Sequence, residues 1–83
     1  MHLGVCLPNY GRASSPEALR QVARAAEDLG FDSIWTTDHV LVPEAYDEPY
    51  GRIFETWTTL AYIAGQTRRV RLGTSILLLG LRN

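Results

Sequence analysis

The sequence is poor in the residues that most readily betray a function. It has one cysteine, one methionine, two histidines and no long apolar run. A single thiol, Cys6, excludes an intrachain disulfide framework and any all-cysteine metal site, and its place in an apolar run predicts a small buried core residue. No His/Cys/Asp cluster has metal-ligand spacing, so no metal is expected. There is no glycine-rich phosphate loop. Neither sign of charge is in excess, with eight Lys and Arg against nine Asp and Glu. That balance gives no electrostatic reason to propose nucleic acid or an anionic membrane as a partner. The first eight residues lack the basic and long apolar regions of a signal peptide, and the longest later apolar run, Ile76 to Leu79, is too short to span a bilayer. A cytoplasmic location is expected.

At 83 residues the chain is at most one small domain, one that buries only about 60% of its unfolded surface. What it contains is organised around Ser33 to His39, a β-prone apolar run that ends in an acid and an imidazole. Parallel strands are buried along their length and meet ligand at their carboxyl ends, so Asp38 and His39 are the first candidates for a site. Read alone, they are also an ordinary strand terminator and a loop histidine. Asn9, at the tip of the preceding strand, is either a turn residue or a third group facing the same cavity.

Leu3, Val5 and Leu7 alternate with His2, Gly4 and Cys6, which predicts a strand over about 2–7 with one bulky and one small face. Ser15 followed by Pro16 marks a helix start, and apolar positions three and four apart carry that helix over about 16–29 to a stop at Gly30. A second strand over 33–37 follows at once. Residues 40–53 have no clean period and read as a loop, in which Tyr46 and Tyr50 could shape a substrate entrance. Phe54, Trp57, Leu60, Ala61 and Ala64 then predict a second helix over about 54–66, with Glu55 in its first turn and Arg68 and Arg69 closing it. Trp35 and Trp57 read as core packing. A third strand is predicted over about 70–79.

The order is βαβαβ, an α/β fold with three parallel strands joined by right-handed crossovers. Both helices then cover the same face of the sheet. The small residues Gly4, Cys6, Gly73 and Ser75 are left on an uncovered face that makes sense as the interior of a (β/α)8 barrel. Such a barrel needs about 250 residues, so this chain supplies roughly three of its eight strands.

One set of blocks runs the length of the chain: Gly4-Val5-Cys6-Leu7-Pro8 with Gly11, Ala25 to Trp35, Asp38-His39, Pro43, Pro49-Tyr50, Trp57 to Ala61, Thr67 with Arg69 to Ser75, and Leu81-Arg82-Asn83. In that combination the chain resembles the N-terminal part of the luciferase-like monooxygenase superfamily, especially its coenzyme F420-dependent members. The resemblance implies the first strands of a TIM (β/α)8 barrel, with a deazaflavin or flavin at the C-terminal ends of the strands. It implies that Asp38 and His39 line the cofactor ring and the substrate, with His39 handling a proton or opposing developing charge. Thr74, Ser75 and Ile76 become cofactor neighbours, with a cis peptide at Ser75-Ile76, and Asn9 and Tyr50 fall on the substrate side.

Gly80 departs from the family pattern, which has proline there. The resemblance further implies F420, or FMN as the alternative, in a complete parent that acts on a small organic molecule by hydride transfer and forms a homodimer. The 83-residue chain by itself is expected to be inactive, and it could self-associate through its strand edges.

Overall fold

A computed structural model describes residues 1–82. Three strands, β1 (Gly4–Cys6), β2 (Ser33–Thr36) and β3 (Arg71–Thr74), form one parallel sheet in the order β1-β2-β3. The register pairs Val5 with Ile34, and Ile34 with Leu72. The helices are α1 (Pro16–Asp28), a short kinked α2 (Asp47–Tyr50) and α3 (Thr56–Ala64). An open sheet of three consecutive parallel strands fits the beginning of the (β/α)8 barrel that the resemblance implies.

Each element begins and ends for a local reason. The Ser15 hydroxyl accepts the Ala18 N–H at 3.0 Å and caps α1. At the other end, Gly30 takes φ +86°, its N–H reaches the Glu27 carbonyl, and the Phe31 N–H reaches that of Ala26. These paired bonds close the helix at Asp28, with Leu29 as its cap, one residue short of the predicted end. Leu7, Leu19, Ala23, Ala26, Ile34, Ile63 and Val70 then make one core between the two longer helices and one sheet face. Burying a side chain such as Ile34 or Ile63 completely contributes about 1.5–3 kcal/mol each.

Seven expectations need correction. The second helix begins at Thr56, not Phe54, because the Glu55 carboxylate caps it by accepting the Trp57 and Thr58 N–H groups. Its buried face is Thr56, Thr59, Leu60 and Ile63, so Trp57 is turned outward and half exposed. The third strand ends at Thr74, opposite the end of β2 at Thr36, rather than at Leu79. The Ser75 N–H still reaches the Thr36 carbonyl at 2.8 Å, but Leu79–Leu81 form a 3-10 turn. The first strand is likewise shorter than predicted, although the Leu7 N–H continues its pairing onto the Trp35 carbonyl at 2.8 Å.

The loop over 40–53 is ordered. It holds a 3-10 turn at Glu44–Tyr46 and then α2, and Tyr10 and Ile53 form an antiparallel bridge across the tip of β1. Finally, Cys6 and Trp35 lie exposed on the uncovered sheet face, not in the core. A methyl added at Gly4 or Gly73 would come within 2.6 Å of the Trp35 indole. The small residues of β1 and β3 are therefore the bed on which one large ring of β2 lies.

Where α3 gives way to β3, the N–H groups of Arg68, Arg69 and Val70 converge on the Glu27 carboxylate at 2.8–3.1 Å. Those backbone donors, Val70 first, hold the Glu27 carboxyl below its ordinary value. The basic stretch does meet an anion, and that anion is the chain's own glutamate at the end of α1.

Candidate active site

The C-terminal end of β2 opens onto a cavity of about 620 Å³ lined by Asp38, His39, Val40, Gly51, Ile53, Glu55, Trp57, Leu81 and Arg82. Two contacts fix the strand tip beneath it. The Thr36 hydroxyl bonds the Thr56 hydroxyl at 2.5 Å, both of them buried, and ties β2 to the start of α3. Asn9, fully buried, donates to the Thr37 carbonyl at 2.8 Å and accepts the Thr37 N–H at 3.1 Å. Both functional groups of the Asn9 amide are thus spent on bracing the tips of β1 and β2 together.

Asp38 has a side chain only 2% exposed, and a charge so deeply placed needs partners. Its Oδ2 accepts the Leu78 N–H at 2.9 Å and the Arg82 Nε–H at 3.2 Å, and its Oδ1 accepts from Arg82 Nη2. The Arg82 Nη1 donates to Glu55 Oε2 at 2.8 Å. One guanidinium therefore joins two carboxylates, of which Asp38 also holds one backbone N–H group and Glu55 two. Partial burial works to raise the Glu55 carboxyl, but the Thr58 and Trp57 N–H groups, the Thr58 hydroxyl and Arg82 outweigh it and bring it down to about 2. Asp38, with Glu55 behind it, raises the Arg82 guanidinium further against desolvation.

His39 follows Asp38 on the cavity wall, half-buried. Its ring packs against Tyr50 with centroids 4.8 Å apart, and Tyr50 packs against Tyr10 at 5.0 Å. Tyr50, itself backed by Tyr10, thus limits where the imidazole can point. Thr74, Ser75 and Ile76 stand apart from this cavity, at the tip of β3. Thr74 pairs with Thr36 in the sheet, whereas Ser75 and Ile76 are exposed and joined by a cis peptide.

The structure thus places the predicted Asp38 and His39 on one cavity wall and packs His39 against Tyr50. Sequence reasoning missed Arg82, which it quoted only as part of a family block, and it read Glu55 as a helix-start acid without its second partner. The available signal was the buried acid itself, since a carboxylate ending an apolar strand requires a cation. Nothing in the sequence says which one, because the partner lies 44 residues away.

The family model of the luciferase-like monooxygenases matches residues 1–83. A protein of Mycobacterium tuberculosis, provisionally named coenzyme F420-dependent oxidoreductase, is 37% identical over 82 residues, which is 99% of this chain and 20% of that protein. The F420-dependent glucose-6-phosphate dehydrogenase of Nakamurella multipartita is 40% identical over 62 residues, or 75% of this chain and 17% of the relative. The alkanal monooxygenase alpha chain of Photorhabdus laumondii is 24% identical over 72 residues, or 87% of this chain and 18% of the relative. The chain thus spans about a fifth of the length of these curated relatives. No solved structure matches significantly. With a match over its whole length and a strand tip built as described, the chain belongs to the luciferase-like monooxygenase family.

Proposed function

We propose that this chain forms the histidine-bearing part of a coenzyme F420-dependent oxidoreductase that passes hydride between the deazaflavin and a small organic molecule. The observation that carries this reading is the position of His39, on a cavity wall at the carboxyl end of a parallel strand and beside a carboxylate already committed to its own chain. The similarity to F420-dependent relatives supports the choice of cofactor.

The residues present suit a flat conjugated ring. The cavity has the volume of a small-molecule site. Val40, Ile53, Trp57 and Leu81 offer apolar surface for ring faces, and His39 offers a polar group for a ring edge. When bound, the deazaflavin supplies the hydride chemistry. His39 holds or moves a proton at a ring nitrogen, or opposes charge developing on the substrate. Tyr50 restrains that imidazole on the substrate side, where Asn9 keeps the tips of β1 and β2 in register. Ser75 and Ile76, exposed beyond β3 and next to Thr74, give the cofactor a second contact surface. In this reading the chain contributes the first three strands of the barrel of a homodimeric enzyme, and is inactive by itself.

The test is reconstitution of the full natural protein with F420 and, separately, with FMN under anaerobic and aerobic conditions. Saturable F420 binding with turnover that needs no oxygen is the expected result. FMN binding with oxygen-dependent turnover would transfer the reading to a flavin monooxygenase, which the similarity to the alkanal monooxygenase favours. Binding of neither cofactor would overturn both.

A further inference from the structure

Residues 75–82 leave the sheet at Thr74 and have no strand partner. Their local bonds are short-range turns, from the N–H groups of Leu79, Leu81 and Arg82 to carbonyls two or three residues back. Only the Ser75 N–H on Thr36 and the Asp38 and Glu55 carboxylates attach the segment to the rest of the molecule by hydrogen bonds among the described residues. Two oxygens of a carboxylate offer about four acceptor positions. Leu78 and Arg82 fill three of those on Asp38.

We propose that Arg82 is a positioning residue. Its guanidinium, bridging Asp38 and Glu55, latches residues 75–82 onto the tip of β2 and the start of α3, and so fixes the part of the cavity wall that Leu81 and Arg82 supply. Asp38 is the anchor of the latch rather than a reacting group. The chemistry favours arginine in this role. One edge of its planar fork, Nε and Nη2, takes the first carboxylate while Nη1 reaches the second, a span that a single ammonium does not match. The Arg82 side chain is only 17% exposed and that of Asp38 2%, so the Asp38 arm of the bridge is shielded from competing water, while the Glu55 arm lies nearer solvent. Among the described residues, no other cation pairs with either acid. The latch also explains why an unpaired segment contributes two residues, Leu81 and Arg82, to a defined cavity.

The consequence for cofactor binding rests on the function proposed above, whereas the structural half stands without it. The experiment follows hydrogen exchange in peptides covering 75–82 of the full natural protein, together with F420 titration. It compares the wild type with Arg82→Met, Arg82→Lys, Asp38→Asn and the double variant Arg82→Met/Asp38→Asn. Loss of charge-assisted hydrogen bonds should speed exchange over 75–82 by about tenfold or more in Arg82→Met, with β2 and α3 unchanged. F420 affinity should fall by a comparable factor.

Asp38→Asn should give the same pattern, and the double variant should be no worse than the more severe single one, because the residues act as a unit. Arg82→Lys should fall between wild type and Arg82→Met. Unchanged exchange over 75–82 in Arg82→Met, or multiplied effects in the double variant, would overturn the latch. If Arg82→Met does not fold, Arg82→Lys decides alone, and wild-type exchange in it would overturn the proposal. A wild type that binds neither cofactor would remove the proposed function, while the exchange data would still judge the latch.

Discussion

Two carboxylates tie down the third strand, one at each end, and they do so differently. At the N-terminal pole, Glu27 gathers three consecutive N–H groups just before β3. At the C-terminal pole, Asp38 gathers one N–H group and an arginine just after it. The first needs only backbone donors, which any sequence over 68–70 other than proline would supply, and it sits near solvent. The second is buried and depends on one particular side chain. A joint built from backbone is tolerant and serves the fold. A joint built from a desolvated ion pair beside a cavity fails when either partner changes, and it is at this pole that His39 stands.

The sharpest way to break this comparison is at His39 itself. Replacing it with asparagine should lower turnover in the proposed reaction of the full natural protein by about 10²- to 10⁴-fold while leaving thermal unfolding nearly unchanged. A loss of stability instead would make His39 a packing residue. Asp38→Ala comes next. It strips the buried pair of one partner and should speed exchange over 75–82 and lower cofactor affinity, each by about tenfold or more. At the opposite pole, Gly30→Ala forces a side chain into φ +86° with open space around it and should cost about 1 kcal/mol, with no effect on activity. A combined loss of stability and activity there would erase the division between the poles.

The smallest effect is in the acid response. Glu27 and Glu55 both have folded-state values depressed below 4.5, Glu55 to about 2. Their stabilisation is therefore complete above about pH 5 and is lost as pH falls toward 2, since the unfolded chain takes up protons first. Glu27→Gln and Glu55→Gln should each flatten the fall in unfolding midpoint over that window. Only Glu55→Gln should also alter the cavity.

Most of the architecture could be read from short-range pattern. Ser15-Pro16 and Gly30 bound α1 because caps are local chemistry, and the alternation in β1 correctly separated a bulky from a small face. The errors have equally physical causes. Trp57 fits an apolar helical stripe, yet Thr56, Thr59, Leu60 and Ile63 won the buried face because the Thr36–Thr56 hydroxyl pair sets the rotation of α3. The run over 75–79 has strand composition but no neighbour to pair with once β2 has ended. Asp38 and His39 stood out in the sequence as a strand terminus, whereas the bridge from Arg82 to both acids exists only once the chain has folded back on itself.

The indole of Trp35 spread across Gly4 and Gly73 has a practical consequence. Cys6 is the chain's sole thiol, exposed on the same sheet face and directly beside Trp35 in the strand register. A fluorescence acceptor attached there would sit one strand away from a native donor. The pair makes a built-in optical reporter on the uncovered face of the sheet, whose signal would change with whatever comes to cover that face.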